Sequence, residues 1–203
     1  MTLTDNKITE IFYLIDEFCI EFHNSVEKHI LGNKPKRALK LSPNEVITIM
    51  VMFHTGGFRN MKHFYINYVQ VHMLHLFPDT VSYNRFVELM QSASLPMAIF
   101  LKTCCLGEGT GIAFIDSTPI RVCENKRIKR NRVLKDIAQV GKSTMRYFFG
   151  FKLHLVINDK GELLNFVITQ GNVDDREPLK NKRYVNELRE KFYADKWYIS
   201  KLL

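Results

Sequence analysis

The sequence is poor in the features that would place it in a membrane, an oxidising compartment or a zinc fold. No uninterrupted apolar run reaches 18 residues, so no transmembrane helix is expected. The opening residues, M-T-L-T-D-N-K-I-T-E, lack a basic stretch followed by an apolar one, so no signal peptide is expected. Four cysteines, Cys19, Cys104, Cys105 and Cys123, form no C-x-x-C pair. That spacing argues against a zinc site or a disulfide framework and for reduced thiols. What is present is globular: 46% hydrophobic, 12% aromatic and 25% charged residues. At 203 residues the chain suits one large domain or two small ones, with enough length to bury a core.

Charge is unevenly spread. Residues 1–105 carry 10 Lys/Arg and 9 Asp/Glu, whereas residues 106–203 carry 19 and 12. Arg121 to Arg146 alone holds 9 basic and 2 acidic residues, which accounts for the +7 of the second half. The stretch reads as a long basic loop. Such clusters neutralise phosphates and release counterions. A solvated surface loop is the plain alternative, and the density of cations beside a candidate acid favours nucleic acid.

The first half reads as helical. Ile8, Ile11, Phe12, Ile15, Phe18, Cys19 and Phe22 recur at helical spacing within 8–31, and Gly32-Asn33-Lys34-Pro35 ends that segment. Ser42-Pro43-Asn44-Glu45 has the residues of a capping box with Pro at the first helical position, ahead of Val46, Ile47, Ile49, Met50 and Phe53. Gly56-Gly57 stops this helix. A further helix is expected over about 60–76, another after Ser82 with Phe86, Leu89 and Met90 inward, and a last one opened by Pro96 and reaching about residue 106. Two readings remain for this unit. It is either a helical bundle supporting the second half, or a helix-turn-helix-like module in which Tyr83-Asn84-Arg85 faces DNA. His54, His63, His72 and His75 belong to no metal-ligand motif and are expected to pack or lie on the surface.

The second half changes period. Gly111 to Val122, G-I-A-F-I-D-S-T-P-I-R-V, starts with four apolar residues that suit a buried strand, then delivers Asp116. Pro119 cannot donate to a ladder, so pairing is expected to weaken there. After the basic loop, Phe149, Phe151, Leu153, Leu155 and Ile157 alternate with Gly150, Lys152, His154 and Val156, a strand with Lys152 and His154 on its polar face. Asn158-Asp159-Lys160-Gly161 is a hairpin turn, and Leu163 to Thr169 returns as a strand. Asp174 or Asp175 is expected to cap a helix running to about residue 191, with Pro178 tolerated in its first turn. Lys191-Phe192-Tyr193-Ala194 is apolar enough for a last strand, ending in Asp195.

Two strands thus finish in Asp. If they lie adjacent and parallel, both acids emerge at one sheet edge, where α/β sites are commonly built. From the residues alone Asp116 is either half of such a carboxylate pair or the cap of its own turn. A pair of carboxylates suits hard cations such as Mg²⁺ or Mn²⁺, and a two-metal site about 3.5–4 Å across stabilises attacking and leaving oxygens in phosphodiester displacement.

F-I-D-S-T-P-I (Phe114 to Ile120), G-K-S-T-M-R-Y-F-F-G-F-K-L-H-L-V-I-N (Gly141 to Asn158), G-N-V-D-D-R (Gly171 to Arg176) and A-D-K-W-Y-I-S (Ala194 to Ser200) closely resemble bacterial insertion-sequence transposases of the DDE type. V-S-Y-N-R-F-V-E-L-M (Val81 to Met90) is similar too. The motifs occur in order over nearly the whole chain. The resemblance implies an α/β catalytic domain (α+β overall), with a helical N-terminal domain at 1–106 and a partial ribonuclease H-like mixed sheet with flanking helices at 107–203. It implies metal-dependent DNA cleavage and strand transfer at transposon ends, Mg²⁺ or Mn²⁺ as cofactor, and double-stranded DNA as partner. A homodimer is a candidate assembly, no membrane is involved, and the location is the bacterial cytoplasm, on the nucleoid when bound to DNA.

By motif, Asp116 and Asp195 match the first two acids of the triad and are the expected catalytic and metal-binding residues. Asp175 is a candidate additional acid, though Asp174 and Asp175 also suit a cap. The expected DNA contacts are Arg121, Lys126, Arg127, Lys129, Arg130, Arg132, Lys142, Arg146 and Lys152. Two departures stand out. Trp197 occupies a position where the family usually has Gly. No residue matches the third acid, a Glu, since Glu187 and Glu190 precede Asp195. The expectation is therefore a truncated and inactive transposase. The alternatives are a non-catalytic DNA-binding or regulatory fragment and another ribonuclease H-like nuclease.

Overall fold

The computed structural model describes residues 4–27, 39–143, 146–181 and 191–194. The chain divides into two units, Met1–Thr103 and Cys104–Leu203.

In the first unit, helix α1 (Asp5–Glu27) buries Ile8, Ile15 and Phe18 on the stripe that the spacing indicates. The expected stop at Gly32 to Pro35 lies outside the described residues. Helix α2 (Pro43–Thr55) begins with a complete capping box: the Ser42 N–H donates to Glu45 Oε2 at 2.7 Å, and Ser42 Oγ accepts from the Glu45 N–H. The Asn44 side chain donates to Asp16 of α1, fixing the two helices to each other.

Asn60 caps α3 (Met61–Phe64), which widens into a π-helical turn (Tyr65–Val69) before α4 (Gln70–His72). The expected regular helix over 60–76 is therefore interrupted and shorter. The wide turn sets Phe64, Tyr65 and Val69 all fully inward. Tyr65 stacks on Phe86 with centroids 4.1 Å apart, donates its hydroxyl to the Val81 carbonyl, and accepts from the Val81 N–H.

Helix α5 (Tyr83–Cys104) corrects a second expectation, because Pro96 lies inside it and opens no new helix. Pro96 cannot donate to the Ser92 carbonyl, normally a cost of about 3 kcal/mol. The helix persists because both of its halves pack on one core, Phe86, Leu89 and Ala93 before the proline, Met97 and Phe100 after it.

Among the described residues the second unit carries a five-stranded mixed sheet: β1 (Ile112–Cys123), β2 (Gln139–Lys142), β3 (Tyr147–Asn158), β4 (Leu163–Gln170) and β5 (Lys191–Ala194). Strand β3 is the hub. It pairs antiparallel with β1, with β2 over Tyr147–Gly150, and with β4 from Phe151 to Ile157. Strand β5 lies parallel to β1, with Ile112 opposite Lys191 and Ile115 opposite Ala194. The hairpin turn forms as its residues indicate: Asn158 Oδ1 accepts from the Lys160 and Glu162 N–H groups, and Gly161 takes a φ of 81°.

Pairing does not weaken at Pro119, which sits in register opposite Lys152. The Gly111 carbonyl accepts from the Lys191 N–H. Backbone groups alternate along a strand, so odd-numbered residues of β1 turn theirs toward β5 and even-numbered ones toward β3. The missing N–H of Pro119 faces away from β3 and costs that ladder nothing.

The basic stretch is likewise no free loop. It holds a 3₁₀ turn (Asn125–Arg130) and the whole of β2. Asn125 Nδ2 donates to the Tyr147 carbonyl, and Gln170 Nε2 to the Ile137 carbonyl. Gly141 is required where β2 passes the turn after β4, because a Cβ there would lie 1.9 Å from the Gly171 carbonyl oxygen.

Beyond Phe149, which is buried, the faces of β3 are inverted relative to expectation. Phe148, Gly150, Lys152, His154, Val156 and Asn158 are buried, whereas Phe151, Leu153 and Leu155 are half-buried and Ile157 is exposed. The opposite, more open face carries Phe114 and Tyr193, 43% and 54% exposed, with their rings 5.7 Å apart. Polar side chains can turn inward here because each finds a partner. Asn158 Nδ2 donates to the Glu108 carbonyl and Glu162, and Asn165 Oδ1 accepts from the Phe166 N–H. Short helix α6 (Glu177–Lys180) covers this side, its Leu179 packing on Ala113, Ile115, Val156 and Leu164.

Candidate active site and nucleic-acid surface

Asp116 is exposed on β1, one residue beyond the last described β1–β5 pair, Ile115 with Ala194. Across the antiparallel ladder it faces Leu155, so its side chain belongs to the open face of the sheet. Oδ1 accepts the Ser117 N–H at 2.7 Å. The sequence pattern puts Asp116 at the end of its strand. It instead lies midway along β1, and what ends beside it is the described parallel pairing.

Asp195 follows Ala194 directly in the chain but lies outside the described residues, as do Glu187, Glu190 and Trp197. Among the described residues no group of three or more His, Cys, Asp or Glu could hold a metal ion. Asp116 itself fits such a role, being an accessible carboxylate with oxygen donors suited to a hard cation.

Asp174 and Asp175 have separate tasks. Neither caps α6, whose N-cap position is Arg176 and carries no side-chain cap; Asp174 closes the turn before it, its Oδ1 accepting the Arg176 N–H and its two oxygens taking the Arg176 guanidinium at 2.8 and 2.7 Å. That guanidinium holds the Asp174 carboxyl well below the usual carboxylate range. Asp175 turns under the sheet. Its Oδ1 accepts from Ser117 Oγ at 3.0 Å and pairs with Lys152 Nζ at 2.9 Å. Lys152 also donates to the Val173 carbonyl at 2.8 Å.

Lys152, expected on an outward polar face, is only 9% exposed, so its ammonium is committed inside the fold. His154 is fully buried beside it, with Nε2 2.9 Å from Thr169 Oγ1 and Nδ1 without a hydrogen-bond partner. Burial pushes the His154 pKa down, Asp175 opposes this, and Lys152 adds to it, so the imidazole is held neutral.

The remaining cations reach solvent. Arg121, Lys126, Arg127, Lys129, Arg130, Arg132, Lys142 and Arg146 are all exposed. Lys126 pairs with Glu124 at 3.1 Å, an exposed contact of small energetic weight. Lys142 Nζ lies 5.9 Å from the Tyr147 ring centroid. Four of these cations are carried by the 3₁₀ turn, which the Asn125 bond fastens to β3, so they are displayed on an ordered platform.

In the helical unit, Arg85 is exposed and paired with Glu88 at 2.6 Å, and His75 meets Asp5 at 3.1 Å. His54, His63 and His72 are exposed.

Sequence reasoning missed Ser117 as a partner of Asp175. The signal available was its place immediately after the candidate acid, on the opposite face of the strand.

No helix among the described residues is long and apolar enough to cross a membrane. Residues 106–203 match the family model described as a transposase DDE domain. The matched span leaves out the helical unit, including Val81 to Met90. Comparison with curated proteins and with solved structures gives no match.

Proposed function

We propose, from the match of residues 106–203 to a transposase DDE domain and from the mixed sheet they carry, that the protein acts as an insertion-sequence transposase on double-stranded transposon ends, with a ribonuclease H-like catalytic domain. The observation that carries the reading is the pairing of Ile115 with Ala194. It aligns, on neighbouring parallel strands, the residues that immediately precede Asp116 and Asp195. In this reading those two carboxylates hold a divalent cation, Mg²⁺ or Mn²⁺. When bound, such a cation supplies charge neutralisation at the reacting phosphate oxygens.

The protein's own groups do the rest. The Ser117 N–H orients the Asp116 carboxylate. The exposed cations from Arg121 to Arg146 engage the DNA phosphates and set its position. Lys152 is not among these contacts, because its ammonium is held by Asp175 and the Val173 carbonyl.

DNA occupancy without cutting is a second reading, favoured by one observation: the exposed cations of the 3₁₀ turn can engage phosphates without any metal. Supercoiled plasmid with Mn²⁺ separates the two. Nicking by the protein that disappears in Asp116→Ala supports the enzyme. Retention of the plasmid on the protein without nicking supports the binding form. Charge neutralisation of Arg127, Lys129 and Arg130 should weaken duplex binding and flatten the slope of log affinity against log salt by about 0.9 for each phosphate no longer engaged. An unchanged slope would return this surface to ordinary solvated charge.

A further inference from the structure

We infer that Ser117, Asp175 and Lys152 form a part-buried strut whose task is to fix the orientation of the Asp116 carboxylate, with Ser117 as the positioning residue. The inference rests on the role given to Asp116 above and adds a through-sheet support to it.

The connection can be followed atom by atom. Asp116 points to the open face of the sheet and Ser117 to the covered one, opposite Leu155 and His154 respectively. The Ser117 N–H donates to Asp116 Oδ1 at 2.7 Å, and the Ser117 hydroxyl donates to Asp175 Oδ1 at 3.0 Å. One residue therefore grips the carboxylate with its backbone and the underside of the sheet with its side chain. The acceptor is itself immobilised. Lys152 Nζ pairs with the same oxygen at 2.9 Å and donates to the Val173 carbonyl at 2.8 Å, tying the turn after β4 to β3.

Past Ile115 the described pairing with β5 has ended. By the alternation set at Gly111, the Ser117 N–H turns toward the β5 side, where no ladder bond is described for it. That N–H is given to the acid. The ladder partners on either side, Asp116 with Leu155 and Thr118 with Leu153, set the peptide plane, and the hydroxyl bond beneath adds a second hold at Ser117. A buried ion pair contributes little net stability compared with an apolar pair of the same volume. Lys152 and Asp175 are accordingly better accounted for by what they hold in place than by the stability they add.

The test is Mn²⁺ binding to the full 203-residue protein, followed by electron paramagnetic resonance of the free ion, with thermal melting measured in parallel. Asp116→Ala should abolish the specific Mn²⁺ site. If it leaves binding untouched, the role of Asp116 falls, and the strut falls with it.

If Asp116→Ala removes the site, the strut stands or falls by Ser117. Ser117→Ala should weaken Mn²⁺ binding about tenfold, the size seen when groups that orient a metal ligand are removed, at an almost unchanged melting temperature. Ser117→Thr keeps a hydroxyl and a strand-compatible side chain, and should restore the affinity. The double variant Lys152→Met/Asp175→Leu removes the acceptor while keeping the site filled, so it should fold and show the same tenfold loss. Adding Ser117→Ala to it should cost nothing more.

Wild-type affinity in Ser117→Ala would overturn the strut while leaving the reading of Asp116 intact. A loss of affinity that tracks a fall in melting temperature and is not rescued by Ser117→Thr would also overturn it, by reducing Ser117 to a structural residue.

Discussion

In the helical unit the fully buried side chains include Leu41, Ile47, Ile49, Phe64, Phe77 and Phe86, and its buried polar residue among those described is Thr48, satisfied by the Asn44 carbonyl. In the sheet unit the buried set includes Lys152, His154, Asn158 and Asn165. The sheet also leaves Phe114, Ile120, Ile157, Ile168 and Tyr193 exposed. The helical unit leaves apolar side chains exposed as well, Leu14, Ile20, Val71 and Leu95 among them, so the contrast lies in what each unit covers. The sheet unit gives covered positions to charge and hydrogen bonding, and does so directly beneath its candidate acid. The difference separates a region organised for burial from one organised to hold particular groups in particular directions.

The comparison breaks most sharply under truncation of the aromatic core. Phe86→Ala removes the ring stacked on Tyr65 and should cost about 3–5 kcal/mol. Denaturant unfolding followed at a helical wavelength reads this. A cost below about 1 kcal/mol would mean that the helical unit is not held by this cluster.

Next in size is Lys152→Ala, expected to cost about 3 kcal/mol because it strands the Asp175 carboxylate beneath the sheet. The side chain of Asp175 is 32% exposed, so the loss belongs at the low end of the range for buried pairs. Replacing both partners, as Lys152→Met/Asp175→Leu, should return stability close to wild type. Phe86 admits no such compensation, and that contrast is the comparison in its measurable form. Equal losses in the single and double variants would show the ion pair to be stabilising in its own right.

A third, smaller effect tests the local signals of the helical unit. Ser42→Ala should cost about 1 kcal/mol, the usual weight of an N-cap, and Glu45→Gln less, since Gln can still reach the Ser42 N–H. Equilibrium unfolding of the two variants checks the order.

These cases also explain what was legible in the sequence. The capping box at Ser42, the turn at Asn158 to Gly161 and strand β5 rest on short-range chemistry, and they lie where their residues indicate. The first acid could be read because an apolar run delivers it. What escaped depends on long-range partners. Pro96 sits inside α5 because core contacts on both sides outweigh its missing bond. Pro119 stays in the sheet because its missing N–H faces away from β3. Alternation along β3 separates the two faces correctly but does not say which is covered. That is decided by the turn carrying Val173 and Asp175, some 20 residues downstream, which offers Lys152 its partners. The basic stretch concealed β2 because its four residues, Gln139 to Lys142, carry no apolar alternation and are held by backbone pairing with Tyr147 to Gly150 of β3.

The smallest expected effect is a pH dependence confined to the sheet unit. His154 is the one histidine of residues 104–203, so its titration is separable from the six in the helical half. It is buried against Lys152, Asp175 and Thr169, and burial, the largest influence, lowers its pKa in the folded state. The unfolded chain therefore takes up a proton first as pH falls below about 6.5. Stability is fully present above that value and declines as pH drops toward the depressed folded pKa. Asp174, held ionised by Arg176, also loses its contribution on acidification, but in a lower window, below the ordinary carboxylate range. His154→Gln keeps a neutral polar group within reach of Thr169 and removes the first titration only. Melting temperature between pH 7 and 5 should slope downward with acidification in the wild type and run flatter in the variant, with the two curves falling together below pH about 4. Parallel slopes throughout would mean that the buried imidazole carries no pH dependence, and that the polar interior of the sheet is as indifferent to protons as the apolar core of the helices.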